Sequence, residues 1–80
     1  MPRKRLPVEL HLQPDWQRAQ GLHVEIRRLG KTIHAGTVET VMPDNSILWI
    51  CASGALPRTM FERAEGHEVY ARYSWDALPK

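Results

Sequence analysis

The chain of 80 residues lacks most of what would declare a chemistry. It has one cysteine, Cys51, so no intramolecular disulfide can form, and no Cys/His spacing suits zinc. No run approaches the ~20 apolar residues needed to span a bilayer, and no apolar leader follows the basic start. These absences lead to the expectation of a soluble, cytoplasmic protein without metal or cofactor and with no membrane contact. Glycine is sparse: Gly30 and Gly54 belong to no phosphate-cradling run. Ser46, Ser53 and Ser74 have no nucleophile elbow or base around them, and Glu62, Glu65 and Glu68 are spread along a turn as a solvated rim. Cys51 sits in the most apolar segment, where burial would raise its pKa and keep it inert, so it reads as a small core residue. No catalytic residue emerges, and the expectation is a protein that is not an enzyme.

Lysine is scarce beside arginine, and the net charge of +2 is misleading. Arg3, Lys4 and Arg5 lie in one short segment, and without them Leu6 to Lys80 is slightly acidic. Residues 1–5 read as a basic flexible tail, 6–75 as one domain and 76–80 as a short C-terminal tail. A domain this small gains only about 3 to 5 kcal/mol of net stability from its core, so oligomerisation is a natural supplement.

What is present is β patterning. Leu6, Val8, Leu10 and Leu12 alternate with polar residues as a first strand. Pro14 and Asp15 open a short helical turn that Gly21 closes. Leu22, Val24 and Ile26 alternate as a second strand, and Leu29-Gly30-Lys31 turns the chain into a third, from about Thr32 to Met42. Pairing Ile26 with Ile33 or Ala35 would put apolar residues of both strands on one face, and the Ile33 register would place His23 and His34 diagonally on the outward face, as solvated strand histidines without a ligand partner. Gly36 marks a bend or close approach that lets a long strand serve two sheets.

Met42-Pro43-Asp44-Asn45-Ser46 breaks an apolar run that resumes at Ile47. A three-residue loop pairing Met42 with Ser46 would put Val38, Thr40, Leu48 and Ile50 on one face, and Glu39, Val41, Ile47 and Trp49 on the other. Both faces of this hairpin would then carry large apolar side chains. Ala55 to Ala64, with Pro57 at a first helical position, reads as a short helical turn before a last strand from His67 to Ser74.

This order, strand, long loop, three meandering strands, helical turn and last strand, together with Gly54-Ala55-Leu56-Pro57 before Phe61, resembles the SH3-like barrel. The resemblance implies an all-β, five-stranded barrel with one short helical turn before strand 2 and another before the last strand. By this resemblance Trp16, Pro57 and Phe61 would occupy places comparable to the groove-lining aromatics and proline of signalling SH3 domains. The long loop lacks their acidic clusters and tyrosines, so the proline-rich ligand is not implied. Val24 to Lys31, Met42 to Asn45 and Phe61 to Gly66 also resemble short stand-alone bacterial proteins of uncharacterised function, a likeness that implies no activity.

The leading expectation is an interaction module. Val41, Ile47 and Trp49, rimmed by Tyr70, would bind a protein partner or a second copy of the chain, because one small core cannot cover both hairpin faces. The alternative is single-stranded nucleic acid, with Arg3, Lys4, Arg5, Arg27, Arg28, Lys31 and Arg72 contacting phosphates and exposed aromatics stacking bases.

Overall fold

Gly36 sits where the longest strand changes partners. The computed structural model describes residues 10–72. Within them run strands β1 (His11–Leu12), β2 (His23–Arg28), β3 (Lys31–Val41), β4 (Ile47–Ile50), β5 (Thr59–Glu62) and β6 (Glu68–Ala71). A 3-10 turn, Trp16–Ala19, precedes β2, and another, Arg63–Glu65, precedes β6. All pairings are antiparallel, in the order β1-β6-β2-β3-β4-β5. The first part of β3 pairs with β2 and the remainder, from Val38, with β4, so one strand serves both halves of the sheet. Gly36 is buried opposite Val24, and a Cβ built on it would lie 2.5 Å from Ile50 Cγ2. Only a residue without a side chain lets β4 fold this closely over β3.

The protein is therefore all-β, but with six strands rather than the expected five. The added strand is β5, where a helical turn was expected over Ala55–Ala64. Thr59 and Phe61 alternate with Met60 and Glu62, and Phe61 packs inward opposite Leu48 while Met60 lies opposite Trp49. A single turn of helix is marginal by itself, and period-2 burial against β4 outweighs it. The sheet is also open rather than a closed barrel: β1 and β5 form its two edges and do not pair with each other among the described residues. Side chains draw the ends together instead. Arg63 donates through Nη1 to the Pro14 carbonyl at 2.8 Å, and its guanidinium lies 5.1 Å from the Trp16 ring centre.

Trp16, Val24, Ile26, Val38, Leu48, Ile50, Phe61 and Val69 form one core between the two halves. Trp16 plugs one end of it at 1% exposure. Asp15 caps its turn by accepting from the Gln17 N–H, and the Pro43–Asn45 turn closes over it. Asn45 Oδ1 accepts from Gln17 N–H at 3.1 Å, and Asn45 Nδ2 donates to Asp15 Oδ1 at 3.2 Å. Asn45 adopts φ 63°, a left-handed conformation that asparagine tolerates better than most residues. Trp16 and Phe61 are thus core residues, which corrects their placement in a ligand groove.

Two register shifts decide which side chains face out. Between β2 and β3 the register runs Glu25–Ala35 and Ile26–His34, then jumps to Arg27–Thr32, leaving Ile33 bulged and 47% exposed. The expected Ile26–Ile33 or Ile26–Ala35 pairing is off by one. A one-residue slip exchanges the faces, so His34 turns inward against Phe61, with ring centres 5.3 Å apart, while His23 stays outside. Between β3 and β4, Val38 pairs with Ile50 as expected, but beyond the bulge at Glu39 the pairs are Thr40–Trp49 and Val41–Leu48. Met42 N–H then donates to the Ile47 carbonyl, so the loop has four residues instead of three.

Candidate interaction surface

The Glu39 bulge rebuilds the expected apolar face. Val41 turns inward and packs against the core, which corrects its assignment to the outer surface. Met42, 45% exposed, takes its place beside Ile47. Ile47 and Trp49 alternate with the buried Leu48 and Ile50, so both lie on the outer face of β4, and Met60 of β5 stands directly opposite Trp49. The result is an apolar patch of Met42, Ile47, Trp49 and Met60 across β3, β4 and β5. Alternation alone could have placed Ile47 and Trp49 together. Met42 depended on a bulge and Met60 on a strand that no sequence pattern marked.

Arg58 lies over this patch. Its guanidinium carbon is 3.9 Å from the Trp49 ring centre, and Nε donates to Glu39 Oε1 at 2.6 Å. Both charged side chains are nearly half exposed, so solvent screens the pair and its role is chiefly to orient Arg58 over the ring. A tryptophan with an arginine stacked on it, bordered by methionines, has the composition of a binding hot spot.

Tyr70 does not belong to this surface. Its strand, β6, is separated from β4 by β2 and β3, and Tyr70 lies on the outer face of the other half, between Leu12 and Glu25. Arg27 covers it, 4.1 Å from its ring centre. The expected grouping of Val41, Ile47, Trp49 and Tyr70 is thereby reduced to Ile47 and Trp49.

The cations of the alternative reading are partly engaged. Arg27 Nη2 donates to Glu25 Oε1 at 2.9 Å, and Arg28 Nε donates to the Glu65 carbonyl at 2.8 Å. Lys31 pairs opposite Arg28 and is exposed, as is Arg72 at the far end of β6. Between Arg28 and Lys31 the turn residue Leu29 is held at φ 54° and is 87% exposed, a conformation that costs a non-glycine residue about 1 kcal/mol. Arg3, Lys4, Arg5 and the residues from Tyr73 onward, with the tail and domain boundaries expected there, lie outside the described residues.

Glu25 accepts from two neighbouring side chains. The Thr32 hydroxyl donates to it at 2.9 Å, and together with the hydrogen bonds from Arg27 holds its pKa below the ordinary 4.5. Because the folded value is the lower one, this contribution is complete above the ordinary value and is lost as pH falls through the folded one. It should therefore fade below about pH 4.5. Thermal unfolding followed by circular dichroism should show a steeper acid decline for the native chain than for Glu25→Gln. For so exposed a pair the difference should be only a few tenths of a kcal/mol. Parallel declines would show that the cluster contributes nothing.

The remaining polar groups of the described residues lie in separate places. A hollow of about 410 Å³ beside β2 brings His23, Glu25 and Arg72 to a floor that includes Leu10, Leu22 and Ala35. His67 Nδ1–H donates to the Glu62 carbonyl at 2.8 Å and its ring stacks edge-on against Phe61. Cys51 is half-buried rather than in the core. Among the described residues no group of three or more His, Cys, Asp or Glu is placed to hold a metal ion, and no helix is long and apolar enough to cross a membrane. No protein-family model, curated protein or solved structure matches the chain.

Proposed function

We propose that this chain is a non-enzymatic protein-interaction module whose binding surface is the outer face of β3, β4 and β5. The observation that carries this reading is the apolar patch in which exposed Met42 and Met60 flank half-buried Ile47 and Trp49, with Arg58 laid over Trp49 by Glu39. Apolar and aromatic side chains on a face that the core does not use lower the free energy when another surface covers them. The path from β2 through β5, a 3-10 turn and a return beside β2 supports an SH3-like assignment of the architecture, with β1 added outside β6. Single-stranded nucleic acid remains the competing ligand class. Arg27 is neutralised by Glu25 and the aromatics are already stacked by arginines, so the described surface offers it less.

A photo-crosslinking amino acid at position 60, introduced into the full chain in its native cell, separates these classes. Protein adducts that disappear in a Trp49→Ser background are the expected result. Adducts to nucleic acid alone, or protein adducts indifferent to Trp49, would overturn the proposal.

A further inference from the structure

The patch runs to the edge of the sheet, and the edge has a polarity of its own. Arg63 N–H donates to the Ser46 carbonyl, which fixes the alternation along β5: Thr59 and Phe61 turn their backbone groups toward β4, whereas Met60 and Glu62 turn theirs away. Among the described residues β5 has no neighbour on that side. Extending the same alternation backwards, Arg58 also presents its backbone outward. Side chains follow the same period, so Arg58, Met60 and Glu62 share the outer face.

From this we infer that β5 pairs antiparallel with β5 of a second copy about a two-fold axis at Met60, a step that rests on the interaction reading above and names its partner. In that register Met60 faces Met60 of the other copy, and each exchanges its N–H and C=O with the other. Arg58 of each copy faces Glu62 of the other, and each Glu62 N–H donates to an Arg58 carbonyl. The choice of Glu62 N–H matters because the Glu62 carbonyl already accepts from His67. The charges are self-complementary: an edge protected by charges of one sign would repel its own copy, whereas a cation and an anion placed symmetrically about Met60 attract it. Pairing also joins the two Trp49–Met60 patches into one continuous apolar strip.

Because both copies use the same β5 edge about a two-fold axis, the pairing is isologous and closes at two copies at that edge.

Three changes test the pairing by light scattering from micromolar to millimolar concentration. The native chain should dimerise. Met60→Pro removes an N–H that points away from β4, so it should keep the fold by circular dichroism and remain monomeric. Glu62→Arg sets like charges against each other and should weaken the dimer about tenfold, by about 1.4 kcal/mol. In a Cys51→Ser background, Met60→Cys should form an intermolecular disulfide on mild oxidation and Thr59→Cys should not, because only position 60 meets its own copy. A native chain that stays monomeric throughout, or a dimer indifferent to both Met60→Pro and Glu62→Arg, overturns the pairing. A monomer whose position-60 crosslinker still captures another protein in cells removes self-pairing alone, whereas a monomer with no protein adduct removes the interaction reading as well.

Discussion

Trp16→Ala is expected to leave the chain largely unfolded at room temperature. Trp16 is the largest fully buried side chain among the described residues, 1% exposed. Truncating a buried tryptophan to alanine costs about 3 to 5 kcal/mol, which is as much as a core of this size contributes in total. The loss extends beyond apolar area. Asp15, Gln17 and Asn45 are hydrogen-bonded around the Trp16 turn, and Arg63 reaches across to Pro14 beside it. Without the ring, the link between the two ends of the open sheet has nothing to close upon. Urea titration followed by far-ultraviolet circular dichroism reads the effect, with Trp16→Phe as a partial replacement that should fold with reduced stability. A loss below about 1 kcal/mol for the alanine variant would mean that the sheet halves hold together by other contacts.

Gly36→Val should be nearly as damaging, for the opposite reason. The first added carbon already falls 2.5 Å from Ile50 Cγ2, inside a core in which Ile50 is wholly buried, and valine adds two methyl groups more. Overpacking of this kind costs roughly 1 to 3 kcal/mol, and at this crossing neither β3 nor β4 can move without disturbing a neighbouring ladder. A double-mutant cycle isolates the cause: in an Ile50→Ala background the penalty of Gly36→Ala should shrink markedly. If Gly36→Ala costs the same in both backgrounds, the close approach of β4 to β3 is not what requires glycine.

The two variants probe features of different legibility. Gly36 was readable, since a glycine inside a long β-branched strand has few explanations other than a bend or a close approach. Trp16 was not: in a polar loop after Pro14 it resembled an exposed groove aromatic, and only the return of β6, the Asn45 turn and Arg63 around it made it core. The interaction surface shows the same division. Strict alternation placed Ile47 and Trp49 on one face, but the bulge at Glu39 exchanged Val41 for Met42, and a one-residue shift at Ile33 carried His34 from the outside to the inside. Bulges leave little trace in the sequence because they are set by how two strands must twist to fit a shared core, not by the residues that occupy them.

Local pattern therefore determined that this chain is all-β, where most of its strands run, where it turns at Asn45 and that glycine must stand at position 36. These follow from side-chain alternation, turn stereochemistry and the space available to one residue, all of which act over a few neighbours. Tertiary structure alone decided that Thr59–Glu62 is an edge strand, that the sheet stays open with its ends joined through Arg63, and which apolar residues face water. Those outcomes depend on pairing between segments far apart in the chain, where moving the register by one residue reverses inside and outside.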